Sequence, residues 1–437
     1  MIKCVEDLAL QRNKYKHLSD EEWRWFLQQE EGRLRTADKL PAFAAIPEWW
    51  YPVRLSCEQC SSELTARYKA QIVLGSSLPD GTIIPSLGTC LDLTGGYGVD
   101  TFFLSEHFAH TDYVEQNAEL CRIAAHNFAL AHKPITVHNT TAEEFLNEHS
   151  PNHQSPITNH QYTLIFLDPA RRDSHGGKVF RLQDCTPNVI ELLPALLQHL
   201  TPDGRIMLKL SPMLDITQAL KELSSVHHTS FHRTITWDVH VVAVKNEVKE
   251  VLLLSRRPKD QANNQMVNDQ MVNDQMIKCL DLSSPEQAFS FTREEEQKAT
   301  VSFVHCTLSP CTFLYEPSAA ILKAGAYKLI AARFGLQKLD VNTHLYVSDR
   351  WIEEFPGRIW RIEGIIGRDA GKAIATANIL VRNYPLTPDQ LKKKLHLRDG
   401  GTAFVIACRV VGKPTLFLAS RVHSIDSFPM SEDLVLP

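Results

Sequence analysis

Apolar and polar positions change their rhythm along this chain. Up to about Leu78 the spacing is helical: Ser19 followed by Asp20, Glu21 and Glu22 offers an N-cap with an acidic first turn, and Trp23, Phe26 and Leu27 then share a face. This predicts a small helical domain over 1–77. From about Gly88 short β-rich runs take over, at 89–93, 111–115, 135–139, 162–167 and 205–210, with helical segments at 99–107, 117–132, 142–149 and 186–200 between them. Alternation of this kind predicts a parallel sheet with helices on both faces. Two further runs, 233–239 and 249–255, are separated only by a turn containing Asn246 and should pair antiparallel.

The expected α/β domain thus spans 78–257, a Rossmann-like parallel sheet ending in an antiparallel hairpin. Residues 258–276 carry a polar repeat (Asn-Asp-Gln-Met-Val) with little to bury, which predicts a flexible linker or loop. Beyond it, 277–437 reads as an α+β domain, with helices over 318–333 and 387–397 and strands near 344–347, 358–366, 403–409 and 415–419.

Charge adds one feature. The whole chain carries 46 basic and 51 acidic side chains, which argues against a uniformly basic nucleic-acid coat. From Pro317 onward, however, 17 Lys and Arg stand against 11 Asp and Glu, so the C-terminal part is the basic one. Apolar runs are interrupted by charge well before the roughly 18 residues a membrane helix needs, and Glu6 and Asp7 stand where a signal peptide has its apolar core. Ten irregularly spaced cysteines do not make a secreted disulfide framework. These features predict a cytoplasmic protein with no membrane partner, and nothing points to an obligate protein partner.

The strongest chemical signal is Leu91-Asp92-Leu93-Thr94-Gly95-Gly96-Tyr97-Gly98, placed between the first strand and the first helix. At the carboxyl edge of a parallel sheet, glycines let a ligand approach the backbone closely. About 20 residues on, Glu115 ends the second strand, where a carboxylate can accept hydrogen bonds from both hydroxyls of a ribose. Turn, spacing and acid together point to an adenosine cofactor; the plain alternatives are a left-handed helix entry and a solvated glutamate. A second signal ends the fourth strand, Leu167-Asp168-Pro169-Ala170-Arg171-Arg172. Proline restricts the residue before it to extended geometry and so fixes an acceptor carboxylate at the sheet edge.

An acid at Asp92 before Gly96 and Gly98, instead of a Gly-x-Gly-x-x-Gly turn, makes 78–257 resemble class I S-adenosylmethionine-dependent methyltransferases. The resemblance implies S-adenosyl-L-methionine as cofactor, with Asp92, Thr94, Gly95, Gly96 and Gly98 lining its methionine and ribose and Glu115 taking the ribose hydroxyls. It also implies an adenine contact at Thr141, where the family often has Asp. Thr94 departs too, standing where a first glycine is usual. The family's Asp/Asn-Pro-Pro-x motif, which grips an acceptor nitrogen, appears here as Asp168-Pro169-Ala170-Arg171, without the second proline or the aromatic that stacks on a base. Asp168, Pro169 and Arg171 are therefore the expected catalytic residues. Arg171 could bind a phosphate, stack on a base, or pair with Asp92 or Asp173. Lys209-Leu210-Ser211 closes the fifth strand without the cysteine that pyrimidine C5 methylation requires, and Lys209 is expected near the acceptor or paired with Asp168.

Cys57 and Cys60 have the spacing of half a zinc site, which Cys306 and Cys311 complete poorly, so no metal is expected. Residues 314–325 and 382–386 resemble the THUMP-like module fused behind such cores in bacterial proteins. With the basic C-terminal third, this implies RNA, either tRNA or rRNA, as partner and methyl acceptor. The alternatives are methylation of a protein or small molecule, and a catalytically silent RNA-binding protein that retains the fold.

Overall fold

Ser19 caps the helix Asp20–Thr36 through a full capping box: its hydroxyl accepts from Glu22 N–H while the Glu22 carboxylate accepts from Ser19 N–H at 2.7 Å. This helix and the shorter Pro41–Ala44, Arg54–Gln59 and Glu63–Leu74 form the expected N-terminal helical layer. The computed structural model describes residues 8–74, 86–149, 161–171, 181–225, 235–256, 275–304, 312–367 and 374–422. Most of the polar repeat lies outside the described residues. The chain divides into two units, Met1–Asp238 with Glu250–Asn268, and Val239–Lys249 with Asp269–Pro437.

In the first unit, β1 (Ser86–Asp92), β2 (Phe108–Val114), β3 (Ile135–His138) and β4 (Tyr162–Leu167) are parallel; a small ribbon, β5 (Ala170–Arg171) with β6 (Cys185–Thr186), follows β4. β7 (Leu200–Leu210) pairs parallel with β4, and β9 (Glu247–Ser255) antiparallel with β7. The hydrogen-bonded order is β3-β2-β1-β4-β7-β9. Central strands buried on both faces must be apolar throughout; accordingly Leu164 to Leu167 and Val251 to Leu254 are buried.

The hairpin is present, but its first strand, expected over 233–239, is displaced toward the turn, and its second, expected over 249–255, starts at Glu247. Lys245 and Asn246 both take positive φ, the mirror-image turn that suits strand twist, so β8 runs from Trp237 to Val244. In the second unit β10 (Met276–Asp281) lies parallel to β8 and antiparallel to β11 (Phe289–Thr292).

The rest of the second unit is an eight-stranded sheet. Its members are β12 (Ser302–Phe303), β13 (Phe313–Pro317), β14 (Gln337–Asp340), β15 (Thr343–Ser348), β16 (Gly357–Ile365), β17 (Asn378–Arg382), β18 (Ala403–Val410) and β19 (Lys413–Val422), in the order β12-β14-β15-β13-β16-β19-β18-β17. The single helix expected over 318–333 is two, Ala319–Ala324 and Leu329–Phe334, because Gly325 takes the left-handed C-terminal position at φ 83°. Among the described residues no helix is long and apolar enough to cross a membrane.

Candidate active site

The glycine turn sits between β1 and the helix Val99–Leu104, and three side chains fix its backbone. Asp92 Oδ1 accepts from Thr94 N–H (3.0 Å), Tyr113 O–H donates to Gly96 O (2.6 Å), and Glu115 Oε2 accepts from Gly96 N–H (3.0 Å). Gly98 enters the helix at φ 83°, and a Cβ there would stand 2.6 Å from Phe128 Cζ. Gly95 is required for a different reason: a Cβ would lie 2.1 Å from the buried Tyr113 ring. Glycine here serves close packing at Gly95, and both close packing and backbone conformation at Gly98.

Asp92 is buried, and its second oxygen accepts from Thr101 Oγ1 at 2.5 Å. Burial, with smaller contributions from the Asp100 and Asp168 carboxylates, pushes its pKa up to about 7. Thr94, which departs from the family pattern, has a function a glycine could not supply: its Oγ1 accepts from the backbone N–H of Asp168 at 2.6 Å, tying the first turn to the end of β4. Thr141 caps the helix Ala142–Glu148, its hydroxyl accepting from Glu144 N–H, so part of its hydrogen-bonding capacity is already engaged.

At the end of β4 the Asp168 carboxylate, 39% exposed, holds Lys209 Nζ at 2.5 Å. Lys209 lies 3.6 Å from Asp100, which Lys69 approaches at 3.2 Å; Lys69 in turn places its ammonium 2.7 Å from both oxygens of Glu250. Lys69 is completely buried. Burial alone would draw the Lys209 ammonium down, but Asp168, Asp100 and Glu250 raise it above its ordinary range, so it stays charged. Burial likewise opposes ionisation of Asp100, yet Lys69, Lys209 and the Ser61 hydroxyl hold its pKa below the ordinary carboxylate value.

One cleft of about 340 Å³ gathers these groups. Asp92, Thr94, Gly95, Gly96, Gly98, Glu115, Thr141 and Asp168 all line it, together with Lys209. Pro169 is buried and off the lining, and the backbone of Arg171 lies in β5 while its side chain is outside the described residues. Sequence reasoning missed the far wall, Ser56, Gln59, Cys60 and Ser61 from the N-terminal helices. It also missed Lys69 and Asp100. Lys69 shares a helical stripe with Ala66 and Val73, and a lysine on such a stripe requires a buried acid; that was the available signal.

The Trp49-Trp50-Tyr51 cluster is part of the packing between the helical layer and the core. Trp49 and Tyr51 are buried, Trp49 Nε1–H donates to Tyr97 Oη at 2.9 Å, and Trp50 stacks on His126. The helical layer therefore braces the glycine turn through Tyr97. Burial pushes the Cys57 thiol up to about 12, which opposes the thiolate that zinc needs; Cys306 and Cys311 lie outside the described residues.

Residues 313–356 match a ferredoxin-like domain model and 357–421 a THUMP domain-like model. A solved structure from Porphyromonas gingivalis W83, provisionally designated a methyltransferase, is 30% identical over 93% of this chain and 92% of its own, with a TM-score of 0.72. An rRNA methylase from Streptococcus thermophilus matches 44% of this chain and 94% of its own at 12% identity and a TM-score of 0.29. No curated protein sequence matches the chain. At that identity and coverage, the chain belongs to the family of the Porphyromonas gingivalis protein, class I S-adenosylmethionine-dependent methyltransferases with a C-terminal THUMP-like domain.

Proposed function

We propose that this chain transfers a methyl group from S-adenosylmethionine to a base of tRNA or rRNA. The observation that carries the reading is the convergence of Asp92, the glycine turn, Glu115 and Asp168 on one cleft. The residues fit the cofactor: Gly96 and Gly98 both take positive φ, a Cβ at Gly98 would strike Phe128, and the lining carries Asp92, Asp100, Glu115, Glu143 and Asp168 against one lysine, which suits a cationic sulfonium.

In this reading Asp92 to Gly98 hold the methionine and ribose, Glu115 takes the ribose hydroxyls, and Thr141 stands at the adenine. The bound cofactor supplies an electrophilic methyl group. Asp168 orients the acceptor: Lys209 fixes Oδ2, leaving Oδ1 without a partner among the described residues to accept an N–H from the base. Pro169 holds the carboxylate's backbone in place, and Arg171 steadies the incoming strand. Proximity and alignment account for most of the rate, with a carboxylate assisting proton loss. Because the cleft is acidic, nucleic-acid phosphates stay outside it and only a base enters.

The test is to incubate the protein with labelled cofactor and RNA from cells lacking it, then locate the modified nucleoside by mass spectrometry. Label in RNA supports the reading. Label only in protein or a metabolite refutes the RNA assignment, and no label in any fraction despite cofactor binding refutes the transfer.

A further inference from the structure

The second unit holds a cleft of about 230 Å³ lined by Lys245, Asn246, Glu316, Pro317, Ala319, Leu322, Arg358 and Arg382. Its charge is arranged unusually. Glu316, on β13, is 1% exposed, and both of its carboxylate oxygens are engaged. Oε2 accepts from Arg358 Nε (2.8 Å) and Nη2 (2.5 Å), and Oε1 from Arg382 Nε (2.6 Å). Arg382 reaches Glu316 although β17 and β13 are four places apart in the sheet. The same curl of the sheet lets the neighbouring Asn383 donate to Thr343 on β15 at 3.1 Å.

One buried carboxylate neutralises only one of the two guanidiniums. Lys245, exposed at the tip of the β8–β9 turn, adds a third cation on the same lining. The turn is itself secured, since Lys245 N–H and Asn246 N–H both donate to Asp281, which is not on the cleft lining. The lining therefore carries a surplus of two positive charges. Arg358 Nη1 and Arg382 Nη2 have no partner among the described residues, Arg382 Nη1 being used on Val381 O. Glu316 thus acts as a strut that fixes two half-exposed guanidiniums in place before any ligand arrives. A preorganised fork of that kind suits a tetrahedral oxyanion, because little side-chain freedom is lost on binding.

We infer that this cleft is a phosphate-binding site that takes a backbone phosphodiester of single-stranded RNA, gripped by Arg358, Arg382 and Lys245. The inference rests on the RNA reading above and deepens it, giving the substrate strand an anchor outside the acidic reaction cleft.

The test measures binding of a fluorescein-labelled single-stranded RNA 15-mer to the full chain by anisotropy across a KCl series. The variants are Lys245→Glu, Arg382→Gln and, as a control for net charge, Lys413→Glu, which is exposed and off the lining. Lys245→Glu leaves the Arg-Glu-Arg triad intact, so it tests the site even if Arg382→Gln, checked by circular dichroism, fails to fold. Lys245→Glu and folded Arg382→Gln should each weaken binding about tenfold and flatten the slope of log affinity against log salt by about 0.7 per lost phosphate contact. Lys413→Glu should change affinity less than about twofold. If native protein binds RNA but Lys245→Glu weakens it no more than Lys413→Glu does, the site is overturned and the RNA reading survives. If the native chain binds no RNA at low salt, both fall.

Discussion

Lys69 offers the sharpest energetic test of how the helical layer is joined to the catalytic core. Its ammonium is completely buried, 2.7 Å from both oxygens of Glu250 and 3.2 Å from Asp100. Lys69→Met removes the cation and leaves Glu250 buried with no partner of opposite charge in contact among the described residues. Breaking a buried pair in this way costs about 3–5 kcal/mol, since the remaining charge is neither solvated nor paired. That is roughly a thousandfold in the folded-to-unfolded ratio. The double variant Lys69→Met/Glu250→Met removes both charges, and Asp100 keeps Lys209 and the Ser61 hydroxyl. It should lie within about 2 kcal/mol of the native chain, because apolar replacement of a whole buried pair is often neutral. Urea unfolding followed by tryptophan fluorescence, run as a double-mutant cycle, reads the coupling directly. A single variant that loses less than about 1 kcal/mol, or a double variant as unstable as the two singles summed, would refute the reasoning.

Four further outcomes are expected. Asp92 titrates at about 7, so cofactor affinity measured by calorimetry should rise up to about tenfold between pH 6 and 8 as the carboxylate ionises beside a cationic ligand; Asp92→Asn should abolish that pH dependence. The same raised pKa means the folded state keeps a proton that the unfolded chain has lost between 3.8 and about 7, so this group's contribution to stability falls as pH rises through that window. Asp168→Ala should abolish methyl transfer in a labelled-RNA assay while cofactor affinity stays within a few fold, and retained labelling would remove Asp168 from acceptor binding. Gly95→Ala places a methyl 2.1 Å from the Tyr113 ring, and overpacking of this kind costs about 1–3 kcal/mol; a melting curve unchanged from the native one would show that the turn has slack.

Much of the catalytic core was readable from period and punctuation alone. β4 coincides with its apolar run, and the acid and glycines of the first turn stand where strand gives way to helix. What escaped was set by contacts distant in sequence. Lys69 and Glu250 are 181 residues apart, and no local pattern announces that pair. The cleft wall formed by Ser56, Gln59 and Ser61 depends on how the helical layer packs on the core, through Trp49 and Tyr97. In the second unit the helix expected over 318–333 was misjudged because Gly325 could be tolerated inside a helix or end one, and only the left-handed backbone decides. β17 has none of its five residues fully buried, so its periodicity is weak and it was not anticipated.

The central claim is that S-adenosylmethionine binds in the cleft between the glycine turn and Glu115. Titration calorimetry of the full chain with that cofactor, repeated on Glu115→Ala, tests it most directly. One-to-one binding that weakens at least about tenfold in the variant, as expected when charge-assisted hydrogen bonds to the ribose are lost, is the predicted result. Absence of binding, or equal affinity in the two proteins, would contradict it.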